Sequence, residues 1–384
     1  MRIRVQAMGL LAALLSVVCA CDKIPELPSF EGEDGNKAVM IVVNEGLFTT
    51  NTAALSVIYA DGTVHYDVFR AVNQRPLGDV AQSMAEINGL YFIAIDNSRR
   101  IEILDPKSFR SVGSIRYGRA GSPRYITPLT DSTAVVSDLH NQLVTIRTRP
   151  PYRELEYIEL PFSSSGIEQM ITVGGKVFCT YIDRGIAVFD AAKFRLSTMR
   201  LIDEVSVSWA QSTAKPVVDH RRRIWILSTK RVDGIELPRL SCIDPVAEEV
   251  VDELLIPIKK RGDLKRGDLM GMPGYNRIDI DPSGRRIYLS LTEASEDNPG
   301  AKTRPLQVIY TMDVDSKELT RYLPLPEVKL MYGMSVSPEG KVCICDCLDF
   351  TAQRGYVRVY SPDRGEEKSY KVAVYPNFVF FPKS

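Results

Sequence analysis

The chain carries a sevenfold repeat of an apolar strand that closes on an Asp-Pro or similar turn. The turn positions are Asp61, Asp105, Thr148, Asp190, Asp244, Asp313 and Ser361. They are spaced by 44, 43, 42, 54, 69 and 48 residues, so the basic unit has about 43 residues with two insertions. A repeat of this length indicates a solenoid or a propeller, because each unit buries its apolar faces against its neighbours.

The segments between these turns are short and rich in β-branched and aromatic residues. A second turn signal precedes the apolar run of each unit from the second onward. Its members are Asn88-Gly89, Asp131-Ser132, Gly174-Gly175, Asp219-His220, Ser283-Gly284 and Glu339-Gly340. Such pairs are typical of hairpin turns, and no helical periodicity of useful length follows the N-terminal segment. Because four strands fit in one unit, the sequence predicts an all-β fold, a seven-bladed β-propeller.

The two ends of the chain complement each other. The first unit begins at its second strand, residues 39–43, while residues 377–381 form a strand left over after the seventh unit. We therefore predict that the C-terminal strand completes the N-terminal blade, which closes the ring and leaves no open sheet edge. One domain over residues 38–384 is expected.

The N-terminal segment has the pattern of a lipoprotein signal. Arg2 and Arg4 precede an apolar run over residues 8–18 that is too short to span a bilayer. The following Val18-Cys19-Ala20-Cys21 resembles a bacterial lipobox. We predict a signal peptide over residues 1–20, lipidation of Cys21, and a flexible tether over residues 21–37. The 48 basic and 48 acidic residues balance, which gives no electrostatic support for nucleic-acid binding.

Neither the cysteines nor the histidines form a recognisable catalytic or metal motif. Cys343, Cys345 and Cys347 alternate along one strand, so their side chains share a face at intervals of about 7 Å. Metal binding or a disulfide stays open, but this spacing is poorly suited to a bond between them, and buried free thiols are the preferred interpretation. No Gly-x-Ser-x-Gly or His-Glu-x-x-His motif is present, so no catalytic residues and no metal site are predicted.

In a propeller, one face of the disc carries the loops after each second strand and the loops into each first strand. The insertions at residues 231–238, 259–272 and 294–304 are expected on this face. Its predicted ligand-binding residues are Asn44, Arg75, Asp79, Asp96, Asn97, Arg124, His140, Glu168, Gln169, Trp209, Tyr275 and Asn276. Aromatic platforms beside amide and guanidinium donors suit a large polar ligand. The alternative is that the polar groups satisfy turn backbone and the aromatic rings pack between blades.

Several motifs resemble those of the YncE-like, seven-bladed propeller lipoproteins of Bacteroides-type bacteria. They are Val43-Asn44-Glu45-Gly46, the segment from Arg75 to Met84, Asp96-Asn97-Ser98 and Ser122-Pro123-Arg124-Tyr125-Ile126. Within that group the chain is similar to the BtuG type. This resemblance implies a protein that is lipid-anchored in the outer membrane, faces the cell exterior and requires no cofactor of its own. It also implies capture of vitamin B12 or another corrinoid and delivery to a TonB-dependent transporter, with His140 as a candidate cobalt ligand.

Two alternatives from other functional classes remain. A propeller hydrolase or lyase of the lactonase type would need a central metal ion or an acid/base pair near the channel. A purely protein-binding accessory subunit of a transporter would need neither. Metal content and partner capture discriminate between these alternatives and the binding protein.

Overall fold

Seven antiparallel sheets form a closed ring, which confirms the predicted all-β, seven-bladed propeller. The computed structural model describes residues 37–162, 165–259, 261–271, 277–295, 304–361 and 365–382. The predicted signal peptide, Cys21 and most of the predicted tether lie outside these residues. The strands of each blade are designated A to D from the central channel outward.

Blades 1 to 4 each contain four strands. Blade 1 has strand A from the C-terminus, β29 (Pro376–Phe380), followed by β1 (Ala38–Asn44), β2 (Ala54–Tyr59) and β3 (Val64–His65). Blade 2 contains β4 (Ala81–Ile87), β5 (Leu90–Ile95), β6 (Arg100–Leu104) and β7 (Ser111–Arg116). Blade 3 contains β8 (Pro123–Thr130), β9 (Thr133–Asp138), β10 (Gln142–Arg147) and β11 (Arg153–Glu159). Blade 4 contains β12 (Ile167–Val173), β13 (Lys176–Tyr181), β14 (Gly185–Asp190) and β15 (Arg200–Ile202).

The remaining blades include one strand that the repeat did not predict. Blade 5 contains β16 (Val217–Val218), β17 (Ile224–Val232), β18 (Ile235–Asp244) and β19 (Glu249–Leu255). Blade 6 contains β20 (Leu269–Gly271), β21 (Ile278–Ile280), β22 (Arg286–Glu293), β23 (Leu306–Asp313) and β24 (Leu319–Pro324). Blade 7 contains β25 (Met331–Val336), β26 (Val342–Asp346), β27 (Arg354–Ser361) and β28 (Gly365–Val374). The extra strand β20 comes from an insertion and pairs with β22 beyond the end of β21.

Two short α-helices lie in loops that lead into A strands, α1 (Val68–Asn73) and α2 (Trp209–Ser212). Both are too short to show the apolar periodicity on which a sequence-based helix prediction rests. Single 3₁₀ turns cover Ala191–Lys193, Leu196–Thr198 and Arg261–Asp263. None of the helices in the described part of the chain has the length and apolar character needed to cross a membrane.

The repeated aspartate closes the turn between strands C and D. Asp105 Oδ1 accepts hydrogen bonds from the main-chain N–H groups of Lys107 (3.1 Å) and Ser108 (2.8 Å). Asp244 and Asp313 make the same contacts two and three residues ahead. A side-chain oxygen that satisfies turn N–H groups explains why aspartate recurs at this position.

The core consists of apolar clusters between neighbouring blades rather than one central core. Ile93 of β5 packs in the cluster shared with blade 1, whereas Phe92 and Ala94 pack in the cluster shared with blade 3. This alternation follows from the two-residue period of a strand. Each such fully buried large side chain contributes about 1.5–3 kcal/mol relative to an exposed one.

Five cysteines of the propeller are buried and free: Cys179, Cys242, Cys343, Cys345 and Cys347. Cys343 and Cys345 belong to the apolar cluster between blades 7 and 1. Burial raises the pKa of the Cys343 thiol to about 12. These cysteines are therefore free thiols of the core, as we predicted from the sequence.

The ring closes where the C-terminal strand meets the N-terminal one. β29 pairs antiparallel with β1, and Val42 lies opposite Val379. The main-chain N–H of Val379 also donates to Ser335 Oγ of blade 7 at 3.1 Å. The prediction that the last strand completes the first blade is confirmed.

Gly333 lies where this closure is tightest, which leads to the first prediction. A Cβ added at Gly333 would lie 1.6 Å from the main-chain oxygen of Asn377. We expect Gly333→Val to displace β29 and to lower the free energy of unfolding by at least about 2 kcal/mol, as overpacking does. Urea denaturation measures the change. Gly262→Ala is the control, because a Cβ there meets no atom within 4 Å; equal stability of the two variants would contradict the prediction.

Candidate functional site

The two faces of the disc differ in which connections they carry. β1 ends at Asn44, so the B–C loops, together with the D–A loops, form the loop face. The A–B and C–D turns form the opposite side, the turn face. The extended β17–β18 hairpin and strand β20 place two of the insertions on the loop face, where the sequence predicted them.

Exposed aromatic side chains are confined to the loop face among the described residues. Phe48 (63% exposed) and Phe350 (61%) lie in the B–C loops of blades 1 and 7. Phe162 (37%) and Trp209 (49%) lie in the D–A loops that lead into blades 4 and 5. Tyr66, the fifth exposed aromatic residue, follows β3 and stacks under the Arg354 guanidinium at 4.5 Å. We call Phe48, Phe162, Trp209 and Phe350 the loop-face aromatics.

A closed circuit of side-chain contacts links every blade to the next at the loop-face end of the channel. Each member lies at or near the start of an A strand or just after β1. We call this circuit the channel ring. Its members are Glu45, Gln82, Arg124, Tyr125, Glu168, Gln169, Thr213, Arg277, Tyr332 and Asn377.

The first half of the channel ring crosses from blade 1 to blade 4. Asn377 Nδ2 donates to the main-chain oxygen of Gln82 at 3.2 Å, and Gln82 Nε2 donates to Tyr125 Oη at 3.3 Å. Arg124 Nε then lies 3.0 and 3.1 Å from the two carboxylate oxygens of Glu168. Both side chains of this ion pair are shielded from solvent.

The second half returns from blade 4 to blade 1. Gln169 Nε2 donates to the main-chain oxygen of Thr213 at 3.1 Å, and Arg277 Nη1 donates to Thr213 Oγ1 at 3.1 Å. The Arg277 guanidinium lies 5.9 Å from the ring centroid of Tyr332. Tyr332 Oη donates to Glu45 Oε2 at 2.8 Å, which completes the circuit.

Burial sets the electrostatics of the channel ring. It raises the pKa of Glu168, and the contact with Arg124 offsets part of that increase. Burial acts in the opposite sense on Arg124, but Glu168, Tyr125 and Asp96 outweigh it, so the pKa of Arg124 is raised and the guanidinium stays charged. Burial also raises the pKa of Glu45, against the hydrogen bond from Tyr332. Charges held in this way are compensated inside the protein rather than offered to a ligand.

Several residues that the sequence assigned to ligand binding make their contacts within the protein. Fully buried Asn44 donates to the main-chain oxygen of Ala54 (3.2 Å) and to Ser56 Oγ (3.0 Å). Asp79 Oδ2 accepts from the main-chain N–H of Thr49 at 2.8 Å and from Asn97 Nδ2 at 2.5 Å. These contacts hold neighbouring loops together, which matches the alternative that the sequence left open.

The other charged residues that the sequence assigned to ligand binding form ion pairs within the protein. Arg75 Nη2 lies 2.7 Å from Glu102 Oε1, with its guanidinium over the Phe69 ring. Asp96 Oδ2 accepts from Arg124 Nη1 at 3.0 Å. Arg124 and Glu168 form the buried pair of the channel ring, and Gln169 bridges to blade 5 within it.

Three of the predicted residues are exposed on the loop face in the described part of the chain: Trp209, His140 and Asn97, whose amide bonds to Asp79. His140 precedes Asn141, whose side chain donates to the main-chain oxygen of Phe162 at 2.6 Å, so the imidazole lies next to a loop that carries an aromatic ring. Tyr275 and Asn276 lie outside the described residues.

Sequence reasoning missed Phe48, Phe162, Phe350 and Tyr332. Phe48 and Phe350 follow the ends of B strands, at Asn44 and Asp346, by only a few residues, which is the signal that would have identified them. Within the described ranges, no group of three or more His, Cys, Asp or Glu side chains is placed to hold a metal ion.

Comparisons with known proteins show which fold class the chain has. No protein-family model and no curated protein matches it. A solved "putative 6-phosphogluconolactonase" from Bacteroides uniformis is 12% identical, with a TM-score of 0.58 over 89% of this chain and 99% of that one. A second protein so described, from Bacteroides fragilis, is 12% identical, with a TM-score of 0.54 over 91% and 99%. Hydrazine synthase of Kuenenia stuttgartiensis is 14% identical, with a TM-score of 0.51 over 72% and 74%.

At these identities the likeness shows the fold alone. The class that fold and comparisons define is therefore the seven-bladed β-propeller.

The buried pair in the channel ring gives the second prediction. We expect Arg124→Met to lower the free energy of unfolding at pH 7 by about 3–5 kcal/mol, because Glu168 would keep an uncompensated buried charge. A raised pKa in the folded state makes a carboxyl group bind its proton more tightly when folded than when unfolded. The destabilisation caused by charged Glu168 therefore disappears below its ordinary pKa of 4.5 and grows as the pH rises above that value.

Chemical denaturation between pH 4.5 and pH 8 measures this loss. The control is Arg119→Met, which breaks an exposed pair with Glu159 at 3.5 Å and should cost less than about 1 kcal/mol. A pH-independent loss in Arg124→Met would contradict the assignment of the cost to Glu168.

Proposed function

We propose that this protein is a non-enzymatic, lipid-anchored propeller that captures a large polar cofactor of the corrinoid class on its loop face. We further propose that it delivers this ligand to a TonB-dependent outer-membrane transporter. The observation that carries the proposal is that the exposed aromatic side chains of the described residues lie on one face, with the four loop-face aromatics in separate loops around the channel ring. The motifs that resemble the BtuG-type propellers supply the choice of ligand and partner.

The distribution of the loop-face aromatics favours a large ligand over a small one. Phe48 and Phe350 come from blades 1 and 7, and Phe162 and Trp209 from the loops that enter blades 4 and 5. These positions lie on different sides of the ring, so only a ligand that spans the channel opening contacts all four. Exposed aromatic rings provide flat, amphipathic contact area at low entropic cost. A corrinoid offers a broad macrocycle for such contacts and peripheral amides for polar groups nearby.

The direction of β1 suits a role at the cell surface. The strand begins at Ala38 on the turn face and ends at Asn44 on the loop face. A tether lipidated at Cys21 would therefore leave from the turn face, so that the loop face points away from the membrane. A ligand captured there is accessible to a transporter that closes over it.

Removing one loop-face aromatic gives the third prediction. We expect Trp209→Ala to raise the dissociation constant for cyanocobalamin at least tenfold, or about 1.4 kcal/mol, because an exposed indole contact is lost. Titration calorimetry of residues 22–384 measures it. Parallel titration with cobinamide shows whether the nucleotide loop of the ligand is bound.

The matched control is Val246→Ala, an 84% exposed apolar residue on the turn face. It should leave the dissociation constant unchanged. The absence of heat with both ligands for the unmodified protein would remove the corrinoid from the proposal, and an unchanged constant in Trp209→Ala would remove Trp209 from the site.

A second candidate function is a lactonase-type hydrolase. The observation that favours it is the half-buried Glu45, whose pKa is raised by burial at the channel mouth and which is a candidate acid/base group. Two propellers similar in fold are each described as a "putative 6-phosphogluconolactonase".

Hydrolysis of 6-phosphogluconolactone tests this candidate, together with metal analysis of the purified protein. Turnover that Glu45→Gln abolishes, while cyanocobalamin fails to bind, would establish the hydrolase in place of the binding protein. Capture of a transporter with neither turnover nor small-molecule affinity would establish a protein-binding accessory subunit.

A further inference from the structure

Below the channel ring, the central channel contains a cavity of about 830 Å³. All seven A strands or their preceding loops line it. Its lining runs from Tyr125, Gln169 and Arg277 of the channel ring to Gly284 and Pro338 in the A–B turns. The cavity therefore lies on the turn-face side of the channel ring, away from the loop-face aromatics. Its volume lies in the range of small-molecule sites.

The lower part of the cavity is lined mainly by apolar side chains, with Asp281 and Ser337 as polar members of the lining. Five half-buried side chains from five consecutive blades line it, and we call them the apolar collar: Ile171, Val218, Ile280, Val336 and Phe381. Each comes from the turn-face half of an A strand or from the residue that follows it. Apolar surface left partly exposed along the wall of a cavity favours occupation by a hydrocarbon group.

One cationic side chain in the lining, Lys215, has N–H groups that make no hydrogen bond in the described part of the chain. Lys215 is 61% exposed although it lines the cavity, and its Nζ lies 3.0 Å from Asp279 Oδ1. Within the described part of the chain, the other two N–H groups of this ammonium have no partner. The second carboxylate oxygen of Asp279 accepts from the main-chain N–H of Val336 at 2.9 Å. The ammonium is therefore able to receive an acceptor group from a ligand without losing its internal pair.

We propose that this channel cavity is a second binding site, for an apolar carboxylic acid. The carboxylate of the ligand contacts Lys215, and its hydrocarbon body lies on the apolar collar. A charge-assisted hydrogen bond at one end and an apolar surface at the other distinguish such a ligand from a neutral hydrocarbon or a sugar. The site is separate from the loop face, because the channel ring lies between them, and it goes beyond the proposed capture function.

Titration calorimetry with decanoate, and with 1-decanol as its neutral counterpart, tests the proposal on residues 22–384. We expect one decanoate per chain with a dissociation constant in the micromolar range. Lys215→Met should weaken decanoate at least tenfold and leave 1-decanol unchanged, since it removes the charge and keeps a side chain of similar length. The control Lys341→Met removes an ion-paired lysine that does not line the cavity, and it should change neither constant.

The location of the site has its own test. Ile171→Trp fills part of the apolar collar and should abolish binding of both probes, with Val336→Phe as the substitute if that variant does not fold. Trp209→Ala should leave decanoate binding unchanged, whatever its effect on cyanocobalamin. Undiminished binding in a folded, collar-filled variant, or equal loss of both probes in Lys215→Met, would overturn the proposal.

Discussion

The whole ring depends on the pairing of its last strand with its first. A propeller blade buries its apolar faces only against its two neighbours, so an unpaired blade at either end would expose both an apolar face and a sheet edge. Pairing of β29 with β1 covers both the apolar face and the sheet edge. The main-chain N–H of Val379 also donates to Ser335 Oγ in blade 7. Every other blade boundary then has the same form, an apolar cluster between two sheets. This closure fixes the points at which the loops of the loop face begin and end, since all of them connect strands held in one ring.

The channel ring also joins each blade to the next, but through polar side chains. The ends of the seven A strands bring charged and amide side chains together near the channel axis. Burying such a side chain without a hydrogen-bonding or charged partner would destabilise the fold. The pairing of Arg124 with Glu168 and Asp96 meets this requirement across three blades. The two sets of side chains therefore differ in role: the polar groups nearest the axis stabilise the ring, while the aromatic residues in the loops outside it are exposed, and these are the groups to which we assign ligand contact.

This division explains which features could be predicted from the sequence. The turn aspartates and pairs such as Asn88-Gly89 act within a few residues, so the blade count and strand order follow from local chemistry; both Asn88 and Gly89 have the positive φ that such a turn requires. Closure followed from the strand left over at the C-terminus. The partners of Arg124 and Asp79 come from other loops or blades, so their internal use was not visible from local pattern. The helix α1 and the strand β20 were missed because six and three residues carry too little periodicity.

The channel ring also separates two surfaces of different character. The loop-face aromatics sit on loops, which can adjust to a large and irregular ligand, and their contact area is spread over several blades. The apolar collar is formed by residues at or beside strands whose spacing is fixed by sheet pairing, so its diameter cannot follow the ligand. At the two proposed sites we therefore expect affinity on the loop face to depend on how many aromatic contacts a ligand makes, and affinity in the channel to depend on whether the ligand fits. The contacts of the channel ring span every blade boundary, six by hydrogen bonds and the boundary between blades 6 and 7 by the Arg277 guanidinium over the Tyr332 ring. We therefore expect occupation of one proposed site to leave the other unchanged unless it breaks one of these contacts.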